Sequence, residues 1–268
     1  DADGRVSVTT LSTYRPIVFW QAHQGAVLRA DAWSGYLVTH GRDHSLRVWK
    51  MPDELGSVAL SSSMAKNLPL PTMLHEMGVN ALNYCAYDMC IRNEDTPTLD
   101  GWLVIPNTLE SGWIDLYHVP SQQRIIESLG RQADILSGTE RPAIVMALQI
   151  CILRDILWIV AGYEDGVLQA WTIPVSTMEP TLVWTHKSHT ESIMALSMSP
   201  TCDSVLSLGA DYNIVRTALH QEAVPHVQRI KRPGHACASV RWDERVCVLG
   251  GWDACARVFT WPSLEPLA

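Results

Sequence analysis

Four times along the 268 residues a short polar turn ends in aspartate, and an alternating run closes on a large or branched residue six positions later. Thr39-His-Gly-Arg-Asp43 leads to Trp49, Ala161-Gly-Tyr-Glu-Asp165 to Trp171, Leu208-Gly-Ala-Asp211 to Thr217, and Gly250-Gly-Trp-Asp253 to Phe259. Asp3-Gly-Arg-Val-Ser-Val-Thr9 fits the register at the start, and Ser111-Gly-Trp-Ile-Asp-Leu-Tyr117 is a degenerate copy in the middle. The turn positions 3, 43, 111, 165, 211 and 253 lie 40, 68, 54, 46 and 42 residues apart. A recurring unit of about 40–45 residues is the period of a blade, not of a single compact domain. Such a chain must fold as a row of similar small sheets, each burying its faces on its neighbours.

The local pattern says what each unit is. Apolar and polar residues alternate on both sides of every turn, which is the period of strands. Tyr36-Leu-Val-Thr39 with Leu46-Arg-Val-Trp49 makes one hairpin, and Leu157-Trp-Ile-Val160 with Val167-Leu-Gln-Ala-Trp171 makes another. Asp165-Gly166 is a tight-turn dipeptide, since glycine accepts positive φ and aspartate bonds nearby amides. Histidines precede three of the turns: His23 before Asp43, His189 before Asp211, and His235 before Asp253. A histidine, a hydroxyl, the aspartate and the tryptophan can bond as a chain, here His23, Thr39, Asp43 and Trp49, with His189, Ser207 and Asp211 as a second set. Asp165, Trp171, His235 and Asp253 are expected in the same structural roles. These are the marks of WD repeats, so the fold expected is an all-β propeller. Two strands of a first blade, about 5–9 and 16–20, come before five full four-stranded blades in a single domain over 1–268. The segments 52–71 and 88–100 read as insertions, and the chain reads as a fragment incomplete at both ends.

Composition narrows the function. With 47% hydrophobic and 18% charged residues the chain is globular, and a net charge of −8 is the wrong sign for a protein that lives on phosphate contacts. No direct nucleic-acid contact is expected. The seven cysteines form no CxxC pair and read as reduced core thiols of an intracellular protein. No apolar run reaches the 18 residues that suggest a membrane span. His40-Gly-Arg-Asp43 has the letters of a kinase loop without its glycine-rich partner, and GxSxG, HExxH and P-loop motifs are missing. His186 and His189 with Cys202 could ligate a metal, but His189 already has a repeat role. No enzyme, cofactor, metal or small-molecule substrate is therefore expected. The residues at or beside the turns, Arg42, Tyr163, Glu164 and Trp252, are the candidates for partner binding, because tryptophan and arginine dominate interface hot spots.

Three stretches carry a more specific resemblance: Val38-Thr-His-Gly-Arg-Asp43 through Trp49, Leu157 through Gly166 to Trp171, and Gly250-Gly-Trp-Asp-Ala-Cys-Ala-Arg-Val-Phe259 through Leu267. Together they resemble the fungal ASTRA-associated protein 1 family and its animal relative, the G-protein β-subunit-like protein 1. The resemblance implies a seven-bladed propeller and a non-catalytic nuclear scaffold. It also implies protein subunits of an ASTRA-type assembly as partners, in chromatin remodelling and maturation of phosphatidylinositol-3-kinase-related kinases. The alternative is a signalling adaptor closer to true G-protein β subunits.

Overall fold

The alternating runs become strands, and each strand pairs with its neighbour in sequence. The computed structural model describes every residue except 34, 54, 56–67, 81–83, 93–99, 120, 132–141, 221–223 and 268. The chain divides into two compact units, Asp1–Ala86 with Asn93–Leu99, and Tyr87–Arg92 with Asp100–Ala268. In the first unit β1 (Arg5–Thr9) pairs with β2 (Pro16–Gln21), and a meander follows of β3 (Val27–Trp33), β4 (Tyr36–Gly41), β5 (Ser45–Lys50) and β6 (Thr72–Gly78). The second unit begins with the sheet β7 (Asp88–Ile91), β8 (Gly101–Pro106), β9 (Ile114–His118) and β10 (Gln123–Leu129). The next holds β11 (Val145–Leu153), β12 (Ile156–Tyr163), β13 (Val167–Pro174) and β14 (Thr181–Lys187). Then come β15 (Ile193–Met198), β16 (Ser204–Gly209), β17 (Asn213–Ala218) and β18 (His226–Arg229), and last β19 (His235–Val240), β20 (Val246–Gly251) and β21 (Ala256–Thr260). Every pairing is antiparallel, and no helix occurs among the described residues. These sheets are the blades of a WD-repeat β-propeller.

Two expectations need correction. The last sheet has three strands where four were expected; Pro266 makes a single bridge to Phe259 along the open edge of β21. The stretch 88–100 is not an insertion from its start, because Asp88–Ile91 is the first strand of a sheet and pairs with Gly101–Val104. Its apolar residues are only Met89, Cys90 and Ile91, too short a run to stand out in sequence. Residues 93–99, like 56–67 of the other expected insertion, lie outside the described residues.

Burial explains the strand sequences. The second strands of three blades in the second unit, β8, β12 and β16, are buried almost from end to end. They accordingly read as near-continuous apolar runs. The fourth strands β14 and β18 are mostly open to solvent and carry polar residues. Between the third and fourth full blades, Trp158, Val160, Leu168 and Trp184 close over Ile193, Leu196, Val205 and Leu219. Each fully buried side chain of this kind contributes roughly 1.5–3 kcal/mol. The Trp184 Nε1–H also donates to the Leu219 carbonyl at 3.1 Å, tying the two sheets by a directional bond.

A second tie repeats with the blades. The Ile150 amide donates to Asp88 Oδ2 at 2.7 Å, the Met198 amide to Gln149 Oε1 at 3.1 Å, and the Val240 amide to Ser197 Oγ at 3.0 Å. In each case a polar side chain on the first strand of one sheet accepts from the first strand of the next. Gln149 and Ser197 hold the same register, opposite Val160 and Leu206 of their second strands. This ladder satisfies amides that no strand partner reaches.

Candidate partner-binding face and the networks beneath it

In the first unit the His23 ring leaves the end of β2 and enters the next sheet. His23 Nδ1 lies 2.9 Å from Asp43 Oδ1, and a carboxylate can only accept, so Nδ1 carries the proton. Nε2 must then accept, and the Thr39 hydroxyl donates to it at 2.8 Å. The Trp49 Nε1–H completes the chain by donating to Thr39 Oγ1 at 2.9 Å. Ser45 Oγ and the Gln24 amide also donate to Asp43, at 2.7 and 2.9 Å. Burial pushes the Asp43 carboxyl up, but the Gln24, Ser45 and His23 donations outweigh it and hold the group at about 2. Burial dominates at His23 and lowers its pKa, which keeps the ring in the neutral tautomer the chain requires.

His189 and Asp211 repeat this in the second unit. Nδ1 meets Asp211 Oδ1 at 3.0 Å and Nε2 meets Ser207 Oγ at 2.9 Å. The Thr190 amide, the Asn213 amide and Asn213 Nδ2 donate to the same carboxylate at 2.9, 3.0 and 3.1 Å. Thr217 stands where Trp49 stands in the other blade, and the chain of bonds stops at Ser207.

The remaining two aspartates are placed differently from the expectation. Asp253 turns away from His235 and takes the Arg257 guanidinium in two bonds, Nη1 at 3.0 Å and Nη2 at 2.6 Å. The cause is visible in the blade: Leu249 occupies the position of Thr39 and Ser207, so there is no hydroxyl to seat the ring. His235 is buried with neither nitrogen hydrogen-bonded. Among the described residues Asp165 accepts only the Val167 amide, at 3.1 Å. Its blade has Ala161 at the hydroxyl position, and Trp171 serves as a buried packing residue. The middle blade uses a set the repeat pattern did not single out. Asp115, buried in β9, accepts from Asn107 Nδ2 at 2.9 Å and from the Ser128 amide at 3.0 Å. Asn107 Oδ1 in turn caps the Leu109 and Glu110 amides, at 2.8 and 3.0 Å. An asparagine ending the apolar run Leu103–Pro106 was the available signal.

Strand alternation puts the β8–β9, β12–β13, β16–β17 and β20–β21 turns of the second unit at one end of their sheets. Trp252 is displayed there, 59% exposed, with its indole against Gly234. Glu164 is exposed and its Oε1 accepts the Ile144 amide at 3.0 Å. Tyr163 is not displayed: it is 6% exposed and lines a cavity of about 270 Å³ with Asp165, Gln169 and Thr185. Successive residues of a strand point to opposite faces, and Tyr163 is two before its aspartate whereas Trp252 is one before. In the first unit Arg42 lies with its guanidinium 4.5 Å from the Tyr84 ring centre.

No family model matches the chain. Curated relatives do. The ASTRA-associated protein 1 of Verticillium alfalfae is 31% identical over 290 residues, covering all of this chain and 68% of the relative. That of Penicillium rubens is 30% identical over 319 residues, covering all of this chain and 71% of the relative. The chain belongs to the ASTRA-associated protein 1 family. A more distant member, from Schizosaccharomyces japonicus, is 24% identical over 309 residues and is covered over 82% of its length. WD blades and membership of the ASTRA-associated protein 1 family together make this a scaffold-type protein. Its polar networks work as internal bracing: Asp43 and Asp211 spend their lone pairs on their own blade and on the histidine loop that leads into it, and Asp115 on its own blade.

Proposed function

We propose that the chain is the propeller of a non-catalytic nuclear scaffold that works inside an ASTRA-type complex, in chromatin remodelling and assembly of phosphatidylinositol-3-kinase-related kinases. The observation that carries this reading is similarity to relatives named ASTRA-associated protein 1 along the whole chain. The geometry supports it. Asp43 and Asp211 are committed to bracing, and Trp252, left to solvent at its turn, is of the kind that binds protein. The partners are protein subunits, with no direct nucleic acid, membrane or small-molecule substrate in the scheme. Affinity purification of the tagged full-length protein from nuclear extract, with the co-eluting chains identified, tests this. ASTRA subunits are expected in stoichiometric yield; elution alone, or with a small G-protein γ-like chain, would contradict the reading.

A further inference from the structure

The turn end of the last two blades carries an excess of positive charge on a chain whose net charge is −8. Three elements meet there: the β16–β17 turn, the loop 230–234, and the β20–β21 turn. The Ile230 amide donates to the Tyr212 carbonyl at 2.9 Å, the Gly234 amide to the Asp211 carbonyl at 3.3 Å, and the Trp252 amide to the Gly234 carbonyl at 3.0 Å. The loop is thus pinned between the two turns at both of its ends. Its surface shows Tyr212 at 43% and Trp252 at 59% exposure, with Arg229, Lys231 and Arg232 exposed alongside.

Both turn aspartates of these two blades are already engaged. Asp211 is buried beneath the turn on His189, Thr190 and Asn213. Asp253 holds Arg257 in a two-point pair and meets Arg232 only at 3.7 Å. Arg229 lies with its guanidinium 5.5 Å from the Tyr212 ring centre, and neither it nor Lys231 has an ion pair among the described residues. The opposite end of the last blade makes the contrast. Trp242 is exposed there too, but Arg241 and Arg245 both face Asp243, at 3.5 and 3.9 Å, and Glu244 follows. That hairpin is balanced, and the turn end is not.

We propose that this patch is a docking site for an extended acidic peptide segment of a protein partner, its carboxylates on Arg229, Lys231 and Arg232 and an aliphatic residue on the Trp252 indole. Charge complementarity selects the acid, and an aromatic platform beside cations is the arrangement that concentrates binding energy. The proposal deepens the scaffold reading and rests on it for the nature of the partner.

The probe is a fluorescein-labelled peptide of alternating glutamate and leucine, read by fluorescence anisotropy, beside a lysine-leucine peptide and a single-stranded oligonucleotide of equal length. Saturable binding of the acidic peptide alone is expected, weakening as salt rises. Lys231→Glu with Arg232→Glu should weaken it by at least about tenfold, Trp252→Ala by a similar factor, and Arg245→Glu on the balanced hairpin not at all. The substituted side chains are exposed, so an unchanged thermal midpoint verifies the fold. No saturable binding, equal loss from Arg245→Glu, or tighter binding of the oligonucleotide would each overturn the proposal. Undiminished capture of ASTRA subunits by the Lys231→Glu, Arg232→Glu protein would overturn it and leave the scaffold reading standing.

Discussion

Asp211→Ala is expected to lower unfolding free energy by about 3 kcal/mol, while Asp253→Ala leaves the thermal midpoint close to wild type. The two aspartates occupy the same position of the repeat, so the sequence pattern alone makes them equivalent. The structure separates them. Asp211 is 3% exposed and its removal strands the His189 ring, two backbone amides and the Asn213 side chain. Each buried donor left without a partner costs about 1–3 kcal/mol, with some recovered by relaxation. In a domain of this size 3 kcal/mol corresponds to a drop of roughly 10 °C. Asp253 is at the surface, and its two-point pair with Arg257 is screened by water. Differential scanning calorimetry on both variants decides it: equal midpoints for the two would show that the His189 network does not brace its blade.

Gly166→Ala is expected to be at least as damaging, for a reason unrelated to hydrogen-bond count. Gly166 has φ of +85°, and a Cβ there would fall inside the His189 carbonyl of the loop that feeds the next blade. Backbone cannot step aside as a side chain does, and the His189 amide itself donates to the Gly166 carbonyl at 3.3 Å. Gly35 provides the control, since it has the same φ of +85° and open space around the missing Cβ. Gly35→Ala should cost only the left-handed penalty of about 1 kcal/mol, and Gly166→Ala about 3 kcal/mol or more. Denaturant melts of both variants read the difference. Equal losses would mean that the turn conformation, not the close approach of the histidine loop, sets the need for glycine. Gly4 shows the same arrangement in the first unit, with φ of +83° and the His23 carbonyl over its Cα.

These cases show what the sequence made legible. Alternation about the turns was enough to locate strands such as Tyr36–Gly41 and Ile156–Tyr163, because period-two burial is written directly into residue type. The hydrogen bonds of His23, Thr39, Asp43 and Trp49 could be anticipated as well, since their spacing and chemistry admit few other arrangements. The exchange of His235 for Arg257 at Asp253 was harder to read. It depends on Leu249 lacking a hydroxyl and on an arginine four residues beyond the turn, each unremarkable alone. Asn107 and Asp115 were missed because their blade replaces the turn aspartate by one inside a strand, outside the repeating register. Tyr163 was placed on the surface by counting turn positions, when a shift of one residue along a strand reverses the face. The charge imbalance around Trp252 was invisible in sequence, because it arises from which carboxylates are already taken.

If the blades are braced internally, the turn end is left free to hold a partner. Hydrogen exchange of the protein alone and in its captured ASTRA-type complex, resolved to single peptides, tests this most directly. Alone, the amides of β12 and β16 should exchange slowest, and those of the turns near residues 212, 231 and 252 faster. In the complex, added protection should appear at those three turns and not at the opposite hairpins around residues 154, 201 and 243. Protection confined to the opposite hairpins, or unchanged exchange throughout a verified complex, would contradict the account.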